Sequence, residues 1–244
     1  MRPLLSQPEI DLANRCLESI YDKLVRISTG LVFDGGTKIV LEEARSTTDN
    51  TISLYSVRAP ELEAPLLKLA RLKTTPAGCY LCGGFFRDIM LDKTKISDMD
   101  FYFKSKKHAK EFEDNIEGKE EVMLHVSRRG DLSEFYGGAF TLQTIGWVFY
   151  PDVPSVLDTY DFTNCMHGYD FETKQFYTTD GPSTMKLNVN ATSRKWKSLM
   201  RYIKIKGKHP SIQTPEDDLK YLVIQSSFEV LTGMAGDSDP NKYI

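Results

Sequence analysis

Apolar residues recur at helical spacing over residues 8–27, where Ile10, Ala13, Leu17, Ile20, Leu24 and Ile27 fall on one face. Residues 31–33 and 38–41 then read as strands flanking the turn Asp34-Gly35-Gly36-Thr37. Residues 51–57 read as a further strand, and residues 60–72 as a helix with a proline in its first turn. A short apolar strand at 79–82 runs into Gly83-Gly84 and a helix over 85–91. The pattern continues with a strand at 99–103, an exposed helix at 106–116, and strands at 122–126, 140–147 and 156–162. From Lys195 onward Trp196, Leu199, Met200 and Ile203 restore the helical period. A last helix opens at Thr214-Pro215-Glu216-Asp217, with threonine as cap, proline in the first turn and acidic residues at the positive end of the helix dipole. The order predicts an α/β (α+β) fold, a mixed sheet with helices on one side followed by a small helical neck. The divisions expected are an N-terminal extension over 1–60, a head over 61–180 and a neck over 181–244.

Length and composition refine this little. The 244 residues suffice for one large domain or two small ones. A net charge of −3 excludes a uniformly basic nucleic-acid binder while leaving room for a local basic face. No apolar run is long enough to cross a bilayer and the first residues lack the apolar stretch of a secretion signal, so a cytoplasmic protein without a membrane partner is expected. Cys79 and Cys82 form a C-x-x-C, but no second ligand pair follows, and the pair reads as the lining of a buried strand. The four histidines, His108, His125, His167 and His209, show no ligand spacing and read as incidental.

The chemistry concentrates between residues 79 and 103. A strand ending in Gly83-Gly84 and opening a helix lets the backbone approach a phosphate, with amides pointing at it. Arg87 could add a bidentate phosphate contact, or Asp88 could pair with Arg87 and hold it. Asp98 and Asp100, two apart on the next strand, leave one face of the sheet, while Met99 and Phe101 face the core. Two hard oxygen ligands on one face suit magnesium, with manganese as the alternative.

These residues resemble the DNA polymerase β-like nucleotidyltransferase superfamily, and more narrowly the head and neck of class II CCA-adding enzymes and bacterial poly(A) polymerases. The family's first motif, G-G-x-x-R-D followed by D-x-D, is matched by Gly83, Gly84, Arg87, Asp88, Asp98 and Asp100. Its second motif, R-R-D-F-T-x-N-A, is similar to Asp161-Phe162-Thr163-Asn164-Cys165, with Thr159-Tyr160 where the family has two arginines. Met200-Arg201-Tyr202 follows in the family's order, without the E-D-x-x-R neck motif. The resemblance implies that Gly83 and Gly84 bind a triphosphate, with Arg87, Asp88, Asn164 and Arg201 as further nucleotide contacts. It implies that Asp98 and Asp100 hold the metals, that Asp161 lies near the nucleotide's sugar, and that Asp158 or Asp161 supplies a third carboxylate.

Arg194, Lys195, Lys197, Arg201, Lys204, Lys206 and Lys208 crowd a segment free of acidic residues around Trp196, which reads either as an RNA platform or as a solvated helix face over a core tryptophan. A second basic set, Lys93, Lys95, Lys104, Lys106 and Lys107, flanks the D-x-D strand and is expected near the cleft. The expected activity is transfer of a nucleotidyl group from an NTP to an acceptor hydroxyl, foremost an RNA 3′ end. The alternatives are nucleotidylation of a protein or small molecule, and a non-catalytic nucleotide- or RNA-binding module.

Overall fold

The structure, a computed structural model, describes residues 15, 17–23, 43–46, 52–91, 93, 96, 98–118, 123–126, 132–136, 140–179, 181–189, 191 and 193–232. Along the chain its strands are β1 Glu43–Ser46, β2 Ser53–Arg58, β3 Cys79–Cys82, β4 Met99–Phe103, β5 Met123–Val126, β6 Leu132–Tyr136, β7 Leu142–Ile145, β8 Gly168–Asp170 and β9 Gln175–Thr178. They form one mixed sheet in the order β1-β2-β9-β8-β3-β4-β7-β6-β5. Among the described pairs β4 and β7 run parallel and the others antiparallel. The helices are α1 Glu63–Leu69, α2 Gly84–Met90, α3 Lys106–Asp114, α4 Val153–Leu157, α5 Lys195–Lys208 and α6 Glu216–Leu231, and residues 17–23 are also helical.

Strand alternation sorts the core into two layers. Cys79, Leu81, Met99, Phe101 and Phe103 face the larger one, where Leu66 of α1, Phe85, Phe86 and Ile89 of α2, and Phe112 of α3 close over them with Leu17 and Ile20. Tyr80 and Cys82 face the other side with Val153, Val156, Leu157 and Met166. The helices therefore do not lie on one side, as the sequence led us to expect: α4 covers the second face. Its contact is close, since a Cβ on Gly168 would lie 2.8 Å from Val153 Cγ1 and from Cys82 Sγ. The same alternation separates Cys79 from Cys82, so the C-x-x-C cannot chelate as a pair and its thiols are buried apolar groups.

Three local expectations need correction. Residues 156–162 do not form a strand. Asp152 Oδ1 accepts hydrogen bonds from Ser155 N at 2.9 Å and Ser155 Oγ at 2.6 Å, and Pro154 sits in the first turn, so the apolar run opens as α4. A short apolar run fits helix and strand equally, and here the cap decides. Strands β1, β6, β8 and β9 were not anticipated. The β8–β9 hairpin turns through Asp170, whose Oδ1 accepts from Glu172 N at 2.8 Å and Thr173 N at 3.3 Å, and through Lys174 at a φ of 59°. Finally, Pro215 rather than Thr214 precedes α6, with no side-chain cap. The turn at 34–37 and its flanking strands lie outside the described residues.

A third apolar cluster, Phe162, Met185, Leu187, Ile212 and Leu222, packs against Leu199, Tyr202 and Ile205 of α5. A bridge from Phe162 to Leu187 joins the C-terminal helices' segment to the rest of the chain, and α5 packs on α6.

Candidate active site

Gly83 ends β3 with φ 104° and ψ −154°, a conformation open in practice only to glycine. Its amide donates to His167 O at 2.8 Å, which locks the turn. A Cβ at this position would lie 2.8 Å from Tyr160 Oη and 3.3 Å from Asp100 Oδ2. The missing side chain is thus the space in which the Gly-Gly turn, Asp100 and Tyr160 meet. Tyr160 Oη donates to Tyr102 Oη at 3.2 Å, on the same face of β4 as Asp100.

Asp100 sits opposite Cys82 on β3 and Gln143 on β7. Gln143 in turn pairs with Glu134 on β6. Gln143 Nε2 donates to Glu134 Oε1 at 2.7 Å and to Asp98 Oδ2 at 3.5 Å. This row brings three carboxylates, Asp98, Asp100 and Glu134, to one side of the sheet. Burial, followed by the charges of Asp98 and Glu134, pushes the Asp100 carboxyl up to about 7. Asp98 is exposed at the mouth of the row. Sequence reasoning missed Glu134 because β6 itself went unrecognised; its signal was only the alternation in Leu132-Ser133-Glu134-Phe135-Tyr136.

A divalent metal fits this donor set. Asp98 and Asp100 could hold it, and the glycine at position 83 leaves the space beside Asp100 Oδ2 open. Among the described residues no three His, Cys, Asp or Glu side chains converge tightly enough to cage an ion alone. A site completed by substrate oxygens and water is what that leaves.

Arg87 takes the second of its two expected roles. It is buried, with Nε donating to Asp88 Oδ1 at 2.8 Å and Nη1 to Cys165 Sγ at 3.1 Å. Asp88 Oδ1 also lies 3.1 Å from His209 Nε2 at the end of α5, so α2 and the end of α5 meet there. His209 was thus not incidental, and neither is His167, which is fully buried with Nδ1 2.9 Å from Thr178 Oγ1. Asn164 is fully buried, and its Oδ1 accepts from Cys165 Sγ at 3.7 Å.

Beside the acidic row opens a cavity of about 440 Å³, lined by Tyr102, Trp147, Tyr150, Tyr160, Asp161, Arg201 and Lys204 among others. Asp161 is buried and ion-paired with Arg201 of α5, and its Oδ1 has no hydrogen-bond partner among the described residues. Arg201 Nη1 also donates to Ser193 Oγ at 3.2 Å. Asp158 instead stands exposed at the C-cap of α4, where burial and then the charge of Asp152 raise its carboxyl.

Of the neck cations, Lys197, Arg201, Lys204 and Lys208 recur at helical spacing along one stripe of α5, and Arg201 and Lys204 reach the cavity. Trp196 is half-buried, with Lys197 Nζ 5.6 Å from its ring centroid. The more exposed tryptophan is Trp147, in the loop after β7. Of the second basic set, Lys104, Lys106 and Lys107 follow the end of β4 remote from Asp98, with Lys104 paired to Glu172 at 2.7 Å, and Lys95 lies outside the described residues.

The model of a family described as Gabija anti-defense 2 family protein matches residues 46–186. Gabija anti-defense 2 of Bacillus phage SPbetaL7 is 29% identical over 142 residues, 56% of this chain and 34% of that protein. The chain therefore spans about a third of the length of the curated relative it matches. Among solved structures, a tRNA-processing enzyme with CTP aligns over 63% of this chain and 44% of its own, at 17% identity and a TM-score of 0.47. A tRNA nucleotidyltransferase with a primer tRNA and an incoming ATP analogue aligns over 63% and 48%, at 18% identity and 0.47. The Thermotoga maritima CCA-adding enzyme with tRNA aligns over 62% and 38%, at 16% identity and 0.45. In the described residues no helix is long and apolar enough to cross a membrane.

Proposed function

The chain belongs to the Gabija anti-defense 2 family, and from that premise we propose that it is a metal-dependent nucleotidyltransferase whose activity serves anti-defence. The observation that carries the chemistry is the placement of Asp98 and Asp100 on one side of the sheet beside the open Gly83 turn. Asp98 and Asp100 hold the divalent ion, magnesium or manganese. When bound, that ion neutralises charge on the triphosphate and on the leaving pyrophosphate. Glu134 replaces Asp158 as the third carboxylate: it shares the acidic row through Gln143, and Asp158 stands at a helix end.

The protein's own residues do the positioning. The backbone at Gly83 and Gly84 receives the phosphates, and Arg87, held by Asp88 and Cys165, braces α2 behind them. Asp161 and Arg201 close the cavity floor at the nucleotide. An acceptor hydroxyl attacks the α-phosphorus in line, the new O–P bond forms, and the bond to the β-phosphate oxygen breaks to release pyrophosphate. The acceptor proposed is an RNA 3′ end, because the cationic stripe of α5 leads to the cavity and suits a phosphodiester chain. The family's name favours a second acceptor, a component of the Gabija defence itself.

One experiment separates these. The purified chain is incubated with each α-labelled NTP, magnesium, cellular RNA and the Gabija components, beside an Asp98→Ala variant. Label in RNA that requires Asp98 supports terminal transfer; label in a Gabija component moves the acceptor to that partner; no Asp98-dependent label anywhere overturns the enzyme reading.

A further inference from the structure

The cavity beside the acidic row is unusual in what faces it. One wall is the loop after β7, with Trp147 56% exposed and Tyr150 behind it. Tyr102 meets Tyr150 edge-on at 6.0 Å between ring centroids, and Tyr160 at 6.5 Å. α5 also lines the space, with Arg201, Lys204 and Ile205. Aromatic rings and cations around one space of about 440 Å³ suit a planar, anionic ligand.

The polar groups around this space are largely committed to one another. Tyr160 Oη donates to Tyr102 Oη at 3.2 Å, and Thr159 Oγ1 to Val156 O at 2.7 Å. Arg201 is held by Asp161 and Ser193. Among the buried side-chain atoms that line it, one oxygen, Asp161 Oδ1, has no hydrogen-bond partner in the described residues. Reading a base edge requires fixed donors and acceptors in complementary pairs, and discrimination comes from leaving one of them unpaired with the wrong base. Lys204 is an exposed, rotatable cation with no fixed direction, and the one buried spare acceptor suits a ribose hydroxyl, which all four ribonucleotides carry. Stacking on an indole is available to every base.

Resting on the reading of this site as a nucleotide site, we propose that it binds its NTP by stacking the base on Trp147, with little discrimination among adenine, guanine, cytosine and uracil. Trp147 is then a specificity-determining residue by what it does not read, and Lys204 adds charge without sequence information.

The chain has two tryptophans, so a Trp196→Phe variant leaves Trp147 as the only indole reporter. That variant is titrated with non-hydrolysable analogues of ATP, GTP, CTP and UTP in magnesium, following Trp147 fluorescence, and affinities are repeated by equilibrium dialysis on the unaltered chain. The expected result is quenching by all four, with dissociation constants within about tenfold and purines tighter, the order of stacking strength. Trp147→Ala weakens all four by about 5- to 100-fold, and Trp147→Phe restores most of the loss. Preference for one base, or for ATP and CTP together, by more than about tenfold overturns the inference while leaving the transferase reading intact, since Asp161 would then read an exocyclic amine. Unchanged affinity in a folded Trp147→Ala chain also overturns it. Binding of none of the four overturns both readings.

Discussion

Arg201 on the neck helix donates to the buried carboxylate of Asp161 in the head, so the junction between the two parts is held by an ion pair that also floors the cavity. Asp161 is 3% exposed, while the Arg201 side chain is half exposed. Removing the arginine leaves a buried charge with no partner, the costly half of any buried pair. Arg201→Ala is expected to destabilise the chain by about 2–3 kcal/mol, below the full range for buried pairs because water reaches the guanidinium. In the double variant Asp161→Asn/Arg201→Met no orphaned charge remains, and urea unfolding should recover at least half of the loss. A double variant as unstable as Arg201→Ala would mean that packing, and not charge, holds the junction.

Asp98 and Asp100 should separate function from folding. Asp100 is surrounded by like charge from Asp98 and Glu134, so a neutral isostere removes repulsion within the fold. Asp98→Asn and Asp100→Asn are each expected to lower nucleotidyl transfer at least about 100-fold. Thermal unfolding should show Asp100→Asn to be as stable as the unaltered chain or more so. Transfer retained in either variant, or collapse of the fold in both, would contradict the assignment.

How far the sequence carried this site depended on whether its signals were local. The Gly83-Gly84 turn and the Asp98–Asp100 pair announce themselves within one strand-turn-helix-strand unit, because a period of two and a backbone need for glycine are properties of a few adjacent residues. Glu134, by contrast, enters through Gln143 from two strands away, and only the order β4-β7-β6 brings it there. His209 likewise meets Asp88 only because α5 ends over α2, a consequence of neck packing that no spacing encodes. The misread segment at 156–162 failed for the opposite reason. Its capping signal, Asp152 with Pro154, was local and visible, and the apolar run outweighed it. The exposure of Trp147 was illegible for the same non-local cause, since burial is settled by what packs above a side chain.

Gly83 offers a steric test of the turn. An alanine there would need a φ near 104° and would press its Cβ to 2.8 Å from Tyr160 Oη. The backbone strain alone costs on the order of 1–3 kcal/mol. The contact adds to it unless the tyrosine moves. Gly83→Ala is therefore expected to lower stability by at least about 2 kcal/mol and to abolish transfer. Adding Tyr160→Phe removes the colliding hydroxyl and should recover part of the stability in chemical unfolding, without restoring activity. A Gly83→Ala chain that is fully stable and active would show that the turn needs neither the glycine conformation nor the open space.

His167 sets the acid side of the stability profile. Its Nδ1 faces Thr178 Oγ1 at 2.9 Å, and that hydroxyl donates onward to Thr179 O at 3.3 Å. The hydroxyl thus accepts from the ring, which places the proton on Nδ1 and leaves Nε2 buried with no hydrogen-bond partner among the described residues. A second proton would put an unsatisfied charge there. Burial first, and then the charge of Arg87, hold this histidine down to about 3. The unfolded chain protonates it near the ordinary value of 6.5. Between those values the unfolded state binds the extra proton and the folded state does not, so stability rises with pH across that window. The contribution is fully present above about 6.5 and is progressively lost as pH falls toward about 3, with a slope of up to about 1.4 kcal/mol per pH unit from this group. Urea midpoints measured at intervals from pH 7.5 down to pH 4.5 should fall more steeply for the unaltered chain than for His167→Gln, whose amide cannot take up the proton. Parallel profiles would mean that His167 titrates alike in both states, and the acid limb would then belong to the carboxylates and His209.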